Sequence, residues 1–166
     1  MQLLSLNQKY AAICLVLSSI FSMAGCATVA ANQPIAASIA ATPELSTLSG
    51  LISKAGLTDT LNGPGSFTVF APNNDAFKAV PAKVLEELAA DPAKLKNVLS
   101  YHVLPAKVMT AEVKNSSVKT VQGANLALSK AGTFVTVEDA MVQTADKNAT
   151  NGVVHIVDRV LLPPKS

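Results

Sequence analysis

A turn, a strand and a capped helix follow one another in residues 63–77, which read GPGSFTVFAPNNDAF. The opening Gly-Pro-Gly-Ser is a dense turn signal, because glycine and proline interrupt regular structure. Phe67–Phe70 is a β-prone run, and the Ala-Pro pair after it ends the run. Asn73 or Asn74 can then cap a brief helix by accepting hydrogen bonds from its first amide groups. The stretch therefore predicts a strand that passes directly into a helix.

The residues before this stretch favour helices. Ile35 and Ile39 are spaced i, i+4, the spacing of one helical face. Thr42 is the predicted N-cap of a second helix, and Gly56 is the residue expected just past its end. Apolar residues between these two positions follow the helical period, so the sequence predicts two amphipathic helices ahead of the first strand.

Helices are also predicted after the stretch, up to about residue 102. Pro81 opens one helix, and Asp91 followed by proline opens another. In the second of these helices the apolar positions fall at i, i+3, i+4 and i+7. These positions are Leu95, Val98, Leu99 and His102. The spacing places His102 on the buried face.

Past Pro105 the pattern changes to short strands. Alternating or β-branched runs occupy residues 118–121, 126–128, 133–137 and 141–144, separated by glycine, asparagine or aspartate turns. The last run, residues 152–162 (GVVHIVDRVLL), is the most apolar. Helices lie mainly in the N-terminal half and strands mainly in the C-terminal half, which predicts an α+β fold rather than alternating βαβ units.

The composition excludes several classes of protein. Of 166 residues, 49% are hydrophobic and 14% are charged, which is typical of a chain with a packed core and not of a disordered one. The net charge is +2, and it falls to +1 if Lys9 is removed with a leader (12 − 11). Such a balance gives no basic field for a phosphate backbone, so we expect no nucleic-acid partner.

The first 25 residues have the layout of an export signal. One charge, Lys9, precedes the apolar run at residues 11–21 (AAICLVLSSIF). A helix of about 11 residues is about 16 Å long, roughly half of the hydrocarbon core of a bilayer. The run therefore predicts a signal peptide rather than a membrane span. We expect residues 1–25 to be removed, residues 26–33 to form a tether, and residues 34–166 to fold.

The end of this segment, Met23-Ala24-Gly25-Cys26, resembles the bacterial lipobox. In lipoproteins with that motif the chain is cut just before the cysteine, which is acylated. Cys14 lies in the removed run, so Cys26 would be the sole remaining cysteine and no intrachain disulfide could form. The alternative is cleavage after Ala30 or Ala31, which would release a soluble protein without cysteine. We expect the lipoprotein, with Cys26 as the lipidated residue.

The sequence offers no catalytic or metal-binding constellation. The histidines are His102 and His155, too few for a zinc site of three or four ligands once Cys26 is acylated. Ser66 lacks the following glycine of a nucleophile elbow, and no phosphate-binding glycine loop occurs. His155 and Asp158 are three residues apart in the last predicted strand, hence on opposite faces. We expect no enzyme, no cofactor and no metal.

Two longer motifs resemble the signature boxes of fasciclin domains. Residues 63–77 are similar to the first box, and residues 151–164 (NGVVHIVDRVLLPP) are similar to the second. Residues 99–105 (LSYHVLP) resemble the family's Tyr-His motif. The similarity extends from about Pro34 to Pro164 in the family's order. It implies a wedge of β-sheets with several packed helices, and a non-enzymatic adhesion or interaction module that is extracellular or surface-attached.

The resemblance also makes Tyr101 and His102 candidate partner-binding residues, because the family's Tyr-His motif is associated with integrin binding. A second interpretation remains open, in which His102 is a buried, hydrogen-bonded core residue, as its place on the apolar stripe favours. No Arg-Gly-Asp tripeptide occurs in the chain.

We therefore expect a monomeric adhesion module held at the outer membrane or cell surface by its N-terminal lipid, with a protein or matrix polymer as partner. The alternative is an envelope lipoprotein that stays in the periplasm and binds another envelope component without adhesion. Without acylation the protein would be soluble, in the periplasm or secreted.

Overall fold

Six helices and seven strands make up the part of the chain that the computed structural model describes, residues 33–164. The helices are α1 (Ile35–Ala40), α2 (Ser46–Lys54), α3 (Thr58–Asn62), α4 (Asn74–Ala79), α5 (Ala82–Ala90) and α6 (Pro92–Tyr101), and a 3-10 turn covers Pro43–Leu45. The strands are β1 (Phe67–Pro72), β2 (Val103–Leu104), β3 (Ser116–Lys119), β4 (Asn125–Ala131), β5 (Phe134–Val137), β6 (Ala140–Ala149) and β7 (Gly152–Val157). Helices first and strands second confirm the predicted α+β order.

The strands form one continuous sheet in the order β2-β1-β7-β6-β5-β4-β3. The β1 and β7 strands are parallel, and the other neighbours are antiparallel. Phe67 lies beside Gly152, and Pro72 beside Val157. The pairing of the first long strand with the last one joins the two halves of the chain.

Both faces of the central strands are buried, as expected for strands rich in valine, isoleucine and phenylalanine. On one face Val69, Ala71, Val154 and Ile156 pack in the cluster that includes the buried residues of α1 and α2. On the other face Phe70 and Val157 pack with Leu104, Leu126, Leu128, Val135 and Val137 in a second cluster. The core thus has two parts, one on each side of β1 and β7.

The sheet curves round the second cluster until its two ends come close. The register of β6 against β7 changes twice between Val142 and Lys147, and such bulges bend a strand. Beyond β3, the amide of Val121 donates a hydrogen bond to the carbonyl of Val103 in β2, at 2.8 Å. This contact connects the far ends of the strand order.

The helix caps follow the sequence prediction in two cases and differ from it in one. Asn73 accepts a hydrogen bond from the amide of Ala76, and Asp91 accepts from the amides at the start of α6. Thr42 occupies the N-cap position with Pro43 after it, as predicted, but of a 3-10 turn, and its hydroxyl donates to the carbonyl of Ser38 at 2.8 Å instead of accepting from an amide. The chain after it forms the 3-10 turn before α2 begins.

The last strand is shorter than the apolar run that predicted it. It ends at Val157, because the next residues pair differently. The amide and the carboxylate of Asp158 both bond to the backbone of Met141, and the amide of Leu161 donates to the ring of His102. Asp158 therefore lies outside the strand in which the sequence placed it.

Asn151 fastens the start of the fold to the turn between β6 and β7. Its side-chain oxygen accepts the amide of Ile35 at 2.9 Å, and its side-chain nitrogen donates to the carbonyls of Leu61 and Gly63. The amide of Thr150 donates to the carbonyl of Gln33 at 3.0 Å. The described chain thus enters the fold at the end of the sheet where β6 meets β7.

Candidate functional site

The Tyr-His pair lies at the end of α6 and is buried. The exposed fraction is 3% for Tyr101 and 2% for His102. Leu95, Val98 and Leu99 line the same face of α6, so the helical spacing correctly placed His102 inside. The two rings join α6 to different parts of the strand half of the protein.

His102 connects α6 to the C-terminal segment through both ring nitrogens. Nδ1 lies 2.8 Å from the carbonyl of Val98, and Nε2 lies 3.0 Å from the amide of Leu161. A carbonyl only accepts and an amide only donates, so the ring is neutral with its proton on Nδ1. Burial lowers the pKa of His102 from 6.5 to about 4, although the Val98 carbonyl acts to raise it.

Tyr101 connects α6 to the tight turn between β5 and β6. Its hydroxyl lies 3.2 Å from the carbonyl of Asn125 and 3.3 Å from Oε1 of Glu138. Burial and the nearby negative charge of Glu138 raise the pKa of the Tyr101 phenol, so the group stays a donor. Glu138 has a φ of 54°, in the left-handed region, and its Oε1 also accepts the amide of Ala127 at 2.7 Å.

Removal of the Tyr101 ring is expected to cost far more stability than removal of its hydroxyl. Tyr101→Phe loses the bonds to Asn125 and Glu138, about 1 kcal/mol of unfolding free energy. Tyr101→Ala also leaves a cavity in the second cluster and should cost about 3–5 kcal/mol. Urea unfolding of both variants beside the parent measures the difference. Parent-like stability of Tyr101→Ala would mean that the ring does not pack in this core.

The second histidine belongs to a network that the sequence did not indicate. Nε2 of His155 donates to the carbonyl of Val108 at 2.9 Å, and Nδ1 accepts the amide of Asp146 at 3.1 Å. The Asp146 carboxylate accepts the amide and the hydroxyl of Thr110. Burial lowers the pKa of His155. Burial alone would raise the pKa of Asp146, but the hydrogen bonds from Thr110 outweigh it and the positive charge of Lys130 acts in the same direction.

This network fastens the long connection between β2 and β3 to β6 and β7. Asp146 has a φ of 55° and lies where the register of β6 shifts, a local distortion that periodicity along the sequence does not announce. His155 and Asp158 bond to different partners: the Asp158 carboxylate accepts a hydrogen bond from the amide of Met141, and Nε2 of His155 donates to Val108.

The buried polar side chains form hydrogen bonds within the fold. Every buried side-chain nitrogen or oxygen atom in the described part of the chain has a hydrogen-bond partner. Among residues 33–164, no three or more histidine, cysteine, aspartate or glutamate side chains lie where they could hold a metal ion. In the same range every helix is too short or too polar to span a bilayer.

The predicted signal peptide and lipidation site lie outside the described residues. Residues 1–25, Cys26 and all but the last residue of the predicted tether precede Gln33. These expectations remain predictions, as does a partner contact at Tyr101 and His102.

Comparison with known proteins identifies relatives of this chain. The fasciclin domain family profile matches residues 43–163. Protein sll1483 of Synechocystis is 42% identical over 121 residues, which are 72% of this chain and 67% of that protein. The cell surface glycolipoprotein MPB83 of Mycobacterium bovis is 34% identical over 139 residues, 81% of this chain and 62% of MPB83.

A solved structure shares the fold. It is a FAS1 domain pair from the insect cell adhesion molecule fasciclin I, matched with a TM-score of 0.63 and 16% identity over 79% of this chain. The chain spans about half of that pair, 51%. With helices mainly before strands, the two resembling boxes on β1 and β7, and a profile match over most of its length, the chain belongs to the fasciclin domain family.

Proposed function

We propose that this protein is an exported, lipid-anchored module that mediates adhesion without catalysis, by binding a protein or matrix polymer outside the cell. The observation that carries the proposal is the family match over residues 43–163. One relative is named a cell surface glycolipoprotein, and the solved structure comes from a cell adhesion molecule. The lipobox-like sequence ending at Cys26 supports the anchor.

The geometry is consistent with a short tether. The chain enters the fold at Gln33, beside Thr150. Cys26 is seven positions before Gln33, a separation that spans about 15 Å on average in a flexible linker. An acylated Cys26 would therefore hold the β6–β7 turn close to the membrane, and the opposite end of the sheet would face away from it.

Protease treatment of intact cells tests the location. Cells express the full chain with a C-terminal tag, either as the parent or as Cys26→Ser. If the proposal holds, protease removes the parent's tag without lysis, and the Cys26→Ser protein is released from the membrane fraction. Protection of the tag until the outer membrane is permeabilised would favour a periplasmic binding role and contradict adhesion. Membrane retention of Cys26→Ser would contradict the lipid anchor.

Attachment of the same cells to one another and to a coated surface tests adhesion itself. Cells with the parent chain should attach more than cells that lack it or that carry Cys26→Ser, since a released module cannot hold the cell. Equal attachment of all three strains would contradict the proposal.

A further inference from the structure

A cavity of about 430 Å³ opens at the end of the sheet opposite Gln33. It is lined by Tyr101, Asn125, the Glu138–Asp139 turn and the C-terminal residues Arg159–Leu162 and Pro164. Ligand pockets in proteins typically have volumes of about 300–1,000 Å³, so this cavity lies at the small end of that range. Two hydrogen bonds hold the lining in place. One joins Tyr101 to Glu138, and the other joins His102 to Leu161.

The charges that line this cavity favour a cation. The lining includes two adjacent carboxylates, Glu138 and Asp139, and one guanidinium, that of Arg159, so it carries a net charge of −1. Oε1 of Glu138 is held by the amide of Ala127 and the hydroxyl of Tyr101. Neither Oε2 of Glu138 nor the carboxylate of Asp139 has a hydrogen-bond partner among residues 33–164.

Arg159 does not neutralise these carboxylates. The ion pairs within the described chain are Lys78–Asp75 and Lys94–Asp91, both on helices, so Arg159 lies more than the 4.0 Å pairing distance from either acid. Opposite charges thus line one cavity without forming an ion pair, so both remain available to a ligand that enters it.

Part of the lining, contributed by the C-terminal segment, is apolar. Val160 and Pro164 contribute to it, and Leu162 is 50% exposed, one of the few large apolar side chains in the described chain that face solvent. Lysine and arginine side chains match such a surface, because an apolar stem carries a charged head. A metal ion or a small inorganic cation would leave this apolar part uncovered.

The position of the cavity suits a partner that approaches from outside. The Glu138–Asp139 turn precedes β6, and Thr150, which bonds to Gln33, follows β6. The ten residues of β6 therefore separate the cavity from the point where the chain enters the fold. Ten extended residues span about 30 Å. If Cys26 anchors the chain, the cavity lies at the end farthest from the membrane.

We propose that this cavity receives a lysine or arginine side chain of a partner protein, with the stem on Leu162 and the cation at Glu138 and Asp139. The inference deepens the proposed function and rests on it for the kind of partner. Arg159 can then donate hydrogen bonds to a carbonyl or carboxylate next to the basic residue. Its own positive charge disfavours a second cation in the cavity.

Peptide titration followed by NMR tests the cavity directly. The protein is the exported chain carrying Cys26→Ser, labelled with ¹⁵N. The probes are blocked pentapeptides of alanine with a central arginine, lysine or citrulline, since citrulline has the shape of arginine without its charge. The arginine and lysine peptides should shift the amide signals of Glu138, Asp139 and Leu162, and citrulline should not. An equal response to citrulline, or no response at these residues, would overturn the proposal.

Variants decide whether the carboxylates are responsible. Asp139→Asn should weaken arginine-peptide binding about two- to fivefold, the usual worth of an exposed ion pair, and Glu138→Gln with Asp139→Asn should weaken it further. The glutamine side chain still offers an oxygen that accepts a hydrogen bond from the amide of Ala127. Thermal melting checks that the variants remain folded. The matched control is Glu86→Gln with Glu87→Gln, an adjacent exposed pair on α5 outside the cavity. Unchanged binding by the cavity variants, or equal loss in the control, would overturn the proposal.

The outcome separates this inference from the proposed function. If peptides fail to bind while cells still attach, the cavity assignment falls and adhesion stands. If the charge-dependent binding occurs but the chain is confined to the periplasm, the cavity stands and adhesion falls.

Discussion

Replacement of Gly152 by alanine is expected to unfold the domain. A Cβ atom at this position would lie 1.9 Å from the carbonyl oxygen of Phe67 and 2.8 Å from a methyl group of Ile35. The φ of Gly152 is +156°, which side-chain-bearing residues rarely adopt. Backbone would have to move at the first pair of the β1–β7 ladder. We expect a loss above about 4 kcal/mol, which is most of the stability of a domain at the low end of the usual range of about 5–15 kcal/mol.

Gly50 provides the matched control. It lies within α2, and a Cβ atom there would meet nothing within 4 Å. Gly50→Ala should therefore raise the unfolding free energy by about 0.5–1 kcal/mol, because alanine is the better helix former. Circular dichroism melts of the parent and both variants measure the contrast. A Gly152→Ala variant that melts like the parent would show that Gly152 does not lie against Phe67.

Acid is expected to destabilise the protein through His102, the second large effect. The folded pKa is about 4 and the ordinary value is 6.5, so between these values the unfolded state binds a proton that the folded state does not. Stability therefore falls as the pH decreases from about 6.5 to about 4, and the His102 contribution is constant below that. The loss amounts to about 3 kcal/mol. Protonated Nε2 could no longer accept the amide of Leu161.

Urea unfolding at a series of pH values measures this loss, and His102→Asn should flatten the pH dependence because asparagine does not titrate. His155, whose pKa burial also lowers, keeps a further dependence of the same sign in that variant. NMR titration of the ring signals in the parent chain provides a direct readout that needs no variant. A His102 ring that protonates near its ordinary pKa would contradict the expectation.

Local signals in the sequence predicted much of the helical half. The i, i+4 pair Ile35 and Ile39 is buried in α1, and Asn73 and Asp91 cap the helices they precede. His102 is buried because it continues the apolar stripe of α6. Such features depend on residues three or four apart, whose relation is fixed once a helix forms. Thr42 takes the predicted N-cap position without the capping bond, because a hydroxyl can bond either forward to an amide or back to a carbonyl, and the sequence does not decide between them.

The strand half was predicted less completely. The runs of residues and their turns were visible, but the end of β7 at Val157 and the bulges of β6 were not. No pattern in the sequence indicated the network of His155, Asp146 and Thr110, because its members lie on separate elements up to 45 residues apart. The cavity at Glu138 likewise joins a hairpin turn to the C-terminal segment.

By itself the sequence determined the α+β order, the family resemblance and the burial of His102, since composition, period and short motifs carry these. Tertiary structure alone decided that β1 and β7 are parallel neighbours, that Gly152 must lack a side chain, and that Glu138, Asp139 and Arg159 line one cavity. The physical reason is that the pairing of strands distant in sequence depends on how both parts of the core pack at the same time. Free energy gained by burying both faces of the central strands selects one register, and that register brings distant polar groups together.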